Sequence, residues 1–143
     1  MILQEKEKAK ESWTSEFYPI NASDACHSDI QALEHSLQKW IGLRKENLEK
    51  HGWLRKWGLA PIEVYSSTCA LCQRHCENDT IGATCKTCPL YIERGAKCYD
   101  HVVMDDRLNN NPYNDFINYG LPETMIKLIQ ICLNKEKEKV GIK

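Results

Sequence analysis

SDIQALEHSLQKWIGLRKENLEKHG, residues 28 to 52, carries the strongest periodicity in the chain. Ile30, Leu33, Leu37, Trp40, Ile41, Arg44 and Leu48 recur at spacings of three and four, with Asp29, Glu34, Lys39, Lys45 and Glu49 on the other face. That pattern predicts an amphipathic helix over 28–51, because a stripe at this spacing lines one side of a 3.6-residue turn. Ser28 followed by Gln31 has the form of a capping box at its start, and Gly52 after His51 supplies a stop.

Working outward from this helix, the C-terminal side reads first. Trp53, Leu54 and Trp57 form an apolar knot with room for one short helical turn, closed by Gly58 and Pro61. IEVYSS, 62 to 67, alternates as a short strand does. A short helix is expected from Pro112 to Tyr119. Pro122 opens a final helix to about Lys135, whose Met125, Ile126, Leu128, Ile129, Cys132 and Leu133 make a broad apolar face suited to packing on the first helix. The closing 136–143 is a charged tail.

On the N-terminal side, residues 1–27 form an extension whose first 13 or so residues fit a short charged helix or a flexible tail, with Ile2, Leu3 and Trp13 as their scant apolar surface. Pro19, Asn21, Ser23 and Asp24 mark an irregular connector. The expected fold is mainly α, a single small domain over 28–135 with a loop-rich zinc-knuckle insert at 69–98 that has room for a short β-hairpin. A chain of 143 residues suits one core and is short for two.

Composition narrows the function. Charged residues are 27% and apolar residues 42%, the balance of a folded water-soluble chain, and no stretch approaches a membrane span. The formal net charge of -1 lacks the broad positive field of non-specific nucleic-acid binders. The first residues alternate acid and base and do not read as a signal peptide, so the expected location is the cytoplasm. There thiols stay reduced, and clustered CxxC pairs point to metal ahead of a disulfide framework.

The chain holds eight cysteines, and CALCQRHCENDTIGATCKTC, 69 to 88, contains five of them. Cys69, Cys72, Cys85 and Cys88 have the spacing of a four-thiolate zinc site, in which each CxxC turn brings two sulfurs to one ion. Such a closed tetrahedron leaves no place for a catalytic water, so the zinc would be structural. Cys98 is the reserve ligand, while Cys76, His75 and His101 stand by it as further donors of unassigned role. An iron-sulfur cluster on Cys69, Cys72, Cys88 and Cys98 is the rival cofactor, although the tight CxxCxxC run of such clusters is missing. Cys26 and Cys132 read as packing residues, Cys76 as a small half-buried thiol and His75 as a surface-loop histidine.

Catalysis is the lesser reading. Asp100 and His101 followed by Asn109, Asn110 and Asn111 resemble part of an HNH nuclease motif, but the final histidine and the second pair of knuckles are missing and Arg107 stands alone among five acids. Arg44, Lys45, Lys50, Arg55 and Lys56 form a mildly basic stretch that suits a phosphate or an acidic partner, or simply a solvated face.

ALEHSLQKW on the first helix, CALC, CKTCPLY, the GAKC turn and NNPY, taken in order over about residues 29–132, resemble a family of small cysteine-motif proteins frequent in bacteriophage and prophage genomes. Cys69, Cys72, Cys85, Cys88 and Cys98 match the family's cysteines; Cys76 is an addition, and the segment before Ser28 departs from the pattern. The resemblance implies an accessory protein of the host cytoplasm and brings no activity of its own; because small phage proteins without catalytic motifs commonly act by binding a host protein, defence components included, such binding is the leading expectation. A zinc-ribbon-like nucleic-acid binder is the alternative, and an HNH-like nuclease the more distant one.

Overall fold

The computed structural model describes residues 2–62, 69–75, 88, 89, 93, 116, 120 and 122–141. Five α-helices lie among them: α1 (Ile2–Phe17), α2 (Asp29–Gly42), α3 (Lys45–Lys50), α4 (Ala70–His75) and α5 (Glu123–Lys139). Short 3-10 turns occupy Ala22–Asp24 and Arg55–Trp57, and no strand occurs among the described residues. The protein is mainly helical, as the periodicity predicts. All but Ile62 of the strand expected at 62–67, most of the cysteine-rich insert and all but Phe116 of the helix expected at 112–119 lie outside the described residues.

Helix α2 begins as its cap residues dictate. The Ser28 hydroxyl accepts from the Gln31 amide at 3.0 Å, and the Gln31 side chain returns to the His27 amide at 3.0 Å, so two otherwise orphaned N–H groups are satisfied. The helix ends at Gly42, well short of the expected His51. Leu43 bonds back to the Trp40 carbonyl at 3.0 Å, Arg44 turns extended at φ -62 and ψ 144, and the Asn47 amide side chain donates to the Ile41 carbonyl at 2.8 Å. Those bonds finish one helix and start α3 at Lys45, and Gly52, at φ +77, then closes α3 where a stop was expected.

The first 13 or so residues, for which a short helix and a flexible tail were both open from sequence, belong to helix α1, which runs on to Phe17 and docks. Ala9, Trp13 and Phe17 are buried, with Trp13 at 0% exposure. The spacing of four along α1 places all three on one side, and Trp13 alone contributes roughly 1.5–3 kcal/mol by leaving water. Phe17 packs against Gly42, where even a methyl group would meet its ring carbons.

Helix α5 covers the other side of α2. Met125, Ile126, Leu128, Ile129, Cys132 and Leu133 are all buried, the face its sequence predicts. The helix runs to Lys139, a turn beyond the expected end, with ion pairs from Lys137 to Glu34 at 3.8 Å and from Lys139 to Glu136 at 3.2 Å. Phe116 stacks edge-on against Trp40 at 5.2 Å between centroids. Trp53 and Trp57 pair at 5.4 Å around the second 3-10 turn, matching the expected apolar knot.

Enclosure by α1, α4 and α5 changes which face of α2 is buried. Ala32, His35, Ser36, Lys39, Gly42 and Leu43 are buried with Leu33 and Trp40, while Ile30, Leu37 and Ile41 are only partly covered. Lys39 was placed on the solvent face by its charge; the structure buries it to 1% exposure.

Candidate metal centre

Helix α4 carries the first CxxC pair and sits on α2 and the Ala22–Asp24 turn. Ala70 and Leu71 are fully buried and pin it from below. At its far end Arg74 and His75 both donate to Oδ1 of Asp29 at 2.7 Å, clamping α4 to the first residue of α2. Burial pushes the Asp29 carboxyl up, but the two donors outweigh it and hold it below the usual carboxylate range. His75 is therefore not a surface-loop histidine: it ends a helix, its side chain is 12% exposed, and an acid fixes it.

Cys69 stands just before α4, half-buried against the core. Its sulfur lies 4.0 Å from the Ser36 hydroxyl, and Ser36 is 1% exposed. It is also close enough to act electrostatically on His35 and Tyr18. His35 donates its Nε2–H to the Ile20 carbonyl at 2.6 Å and meets the Tyr18 ring at 4.9 Å, which leaves Nδ1 buried without a hydrogen-bond partner. Burial lowers the His35 pKa more than the Ile20 carbonyl raises it, so the ring is kept neutral. Lys39 follows Ser36 by three positions on the same side of α2, its ammonium 5.5 Å from the Trp40 ring centroid.

Of the other expected ligands, Cys88 is buried at 8% exposure within the same core. Cys72 lies in α4 by its backbone, three residues beyond Cys69. Cys85, together with Cys76, Cys98 and His101, lies outside the described residues. Cys132 is a packing residue, buried at 2%, and its thiol donates to the Pro89 carbonyl at 3.4 Å. Burial pushes that thiol up to about 11. Cys26 is only half-buried and donates to the Ser23 carbonyl at 3.2 Å.

Cysteine thiolates are donors that zinc accepts, and Cys69 and Cys88 are the two expected ligands whose side chains are described. Among the described residues, no three histidine, cysteine or acidic side chains gather as a complete metal site.

A second cluster bears on catalysis. Ser12 and Glu16, one turn apart on α1, flank His51: Ser12 Oγ lies 2.5 Å from Nδ1 and Glu16 accepts from Nε2 at 2.6 Å. The order resembles a nucleophile, base and acid. Acyl transfer also needs donors aimed at an oxyanion, however, and no described hydrogen bond points a backbone amide beside Ser12. The trio clamps α1 to α3, joined by Lys50 on Glu16 at 3.1 Å. The nuclease-like residues Asp100, His101 and Asn109 to Asn111 lie outside the described residues.

Sequence reading missed Ser36 and Asp29 as neighbours of the cysteine region. The available signal was size: Ala32 and Ser36 are small residues four positions apart on α2, and small residues at that spacing admit a second helix closely. No protein-family model, curated protein or solved structure matches the chain.

Proposed function

We propose that the chain is a zinc-stapled helical interaction module, a phage-type accessory protein that binds a host protein, with the metal held by Cys69, Cys72, Cys85 and Cys88. The observation that carries the metal half is the placement of Cys69 and Cys88 against one core, where thiolates bound to zinc would tie the cysteine-rich segment to α2. A core of this size gains from such a staple, since structural zinc supplies on the order of 10 kcal/mol of folding free energy.

Two observations favour protein binding over nucleic-acid binding. An open groove of about 450 Å³ runs between α1, α2 and α5, floored by Phe17, Leu37, Ile41 and Leu133 and edged by Glu16, Glu34 and Lys137. Three of the five basic residues of the stretch are paired within the chain at its surface: Arg44 with Glu123 at 2.7 Å, Lys50 with Glu16 at 3.1 Å and Lys45 with Glu49 at 3.9 Å. Cations already paired release few counterions from phosphate.

Elemental analysis of protein purified without added metal tests the first half. One equivalent of zinc is expected, lost in Cys69→Ser; iron or no metal overturns it. For the second half, a host protein that copurifies at fixed stoichiometry should be lost on Leu37→Arg in the groove. Salt-sensitive retention of DNA or RNA with no such partner would put nucleic-acid binding in its place.

A further inference from the structure

We infer that His35 is a ligand of the metal that Cys69 binds: the Nδ1 lone pair of its imidazole, buried on α2, makes the zinc centre a mixed one of nitrogen and thiolate. The inference rests on the metal reading proposed above and changes its donor set. Zinc takes four ligands, so a nitrogen from α2 stands in place of one expected thiolate other than Cys69.

The imidazole is arranged as a ligand's ring is. The Ile20 carbonyl can only accept, so the 2.6 Å bond to it puts the proton on Nε2, and in the neutral ring Nδ1 is then a bare lone pair. Metal-bound histidines donate their other N–H to a carbonyl or carboxylate in this way, which fixes both tautomer and ring orientation. His35 is 7% exposed, and its Nδ1 has no hydrogen-bond partner. The hydroxyls of its neighbours are turned elsewhere: that of Tyr18 accepts from the Ala22 amide at 3.1 Å, and that of Ser36 lies 4.0 Å from the Cys69 sulfur. An acceptor shut away from water without a donor is destabilising, and a Lewis acid on the lone pair relieves it.

The surroundings put the ring beside Cys69. The connector before α2 holds it through the Ile20 carbonyl and the Tyr18 ring, centroids 4.9 Å apart, and α4 packs on both the Ala22–Asp24 turn of that connector and α2. Cys69, just ahead of α4, meets Ser36, the next residue along α2, and acts electrostatically on the His35 imidazole and the Tyr18 phenol alike. Imidazole and thiolate are both zinc ligands, and exchanging one thiolate for a neutral ring lowers the charge of the filled centre from about -2 to about -1, which costs less desolvation against a core. A metal on Nδ1 and burial both keep a proton off that atom, so acid works against the folded chain in either case.

The test uses the full chain, isotopically labelled at its histidine nitrogens, with its metal replaced by one equivalent of spin-half cadmium. Long-range proton–nitrogen correlation spectra should show the His35 Nδ1 resonance moved from the range of a bare imine nitrogen and split by coupling to cadmium, with Nε2 still protonated; Cys69→Ala should abolish the splitting. Cobalt(II) in place of cadmium should give a sulfur-to-cobalt charge-transfer band. His35→Gln, which keeps an N–H for Ile20, should weaken zinc binding more than about 100-fold in competition with a chromophoric chelator, beyond what loss of an outer-shell partner costs. If cobalt binds through sulfur but the Nδ1 resonance stays unsplit, or the splitting survives Cys69→Ala, the inference is overturned. If wild type gives no sulfur charge-transfer band, the metal reading itself is overturned. Should His35→Gln not fold, the cadmium coupling in wild type decides alone.

Discussion

The Trp13 indole donates through Nε1 to the Gly42 carbonyl at 2.7 Å, across 29 positions of chain and wholly inside the core. The bond satisfies a carbonyl at the end of α2 and fixes the height at which α1 lies along it. Phe17, one turn on, presses its ring where a side chain at position 42 would begin, with Cβ-to-ring distances from 2.4 Å. Gly42→Ala should therefore push α1 off α2 and destabilise the fold by about 1–3 kcal/mol, although alanine is the better helix former. Urea denaturation of the two proteins at equal metal content measures it; an equal or higher midpoint for the variant would show that α1 does not depend on this approach.

What the sequence made legible here divides by the kind of signal. Helix α2 was readable because its start is chemical: Ser28 and Gln31 do what a capping box does. Helix α5 was readable because one side is apolar throughout. The buried face of α2 was not. Periodicity counts apolar side chains against charged ones, whereas a helix enclosed by three others selects on size as well, and so Ser36 and Lys39 went inside while Ile41 stayed partly out. Helix α1 was obscured in the same way, since one tryptophan and one phenylalanine among alternating charges suffice when they meet a glycine. Around the first CxxC pair, spacing cannot see residues brought in from another helix, which is how Asp29 reaches α4 and Ser36 reaches Cys69.

His35 should make stability depend on pH. Burial holds its imidazole below the ordinary 6.5, chiefly against the pull of the Ile20 carbonyl. The unfolded chain then binds a proton through this range that the folded chain does not, so stability rises with pH there and falls as pH drops from about 7 toward 5. His35→Gln keeps an N–H for Ile20 and removes the titration. The wild-type melting temperature should fall more than that of the variant between pH 7.5 and 5.5; parallel curves would assign the pH effect to other groups.

Asp29 predicts the opposite end of the scale. Arg74 and His75 hold its carboxyl below the ordinary 3.8 despite burial, so its contribution is fully present above that value and lost as pH falls through the lowered one. Asp29→Asn removes the charge that joins both donors, and with a third of the pair exposed the cost should be about 1 kcal/mol at neutral pH, vanishing in strong acid. Hydrogen exchange should rise first in the amides of α4, because the clamp holds that helix more than the rest. Uniform loss of protection across α2 and α5 would count against a local clamp.

Cys132 should be chemically silent while Cys26 is not. Its thiol sits under Pro89 at 2% exposure with its pKa raised to about 11 by burial, so thiolate is scarce and unreachable at pH 8. Cys26 is half-buried on the connector before α2. Alkylation of native protein by iodoacetamide, read by peptide mass spectrometry, should label Cys26 well before Cys132, whose burial both blocks the reagent and withholds thiolate. Chelation of the proposed zinc should then expose Cys69 and Cys88 to the reagent before Cys132, because metal release frees the ligands directly whereas Cys132 yields only when α5 leaves α2. Labelling of all buried cysteines in one step on chelation would instead mean that removing the metal unfolds the whole helical core at once.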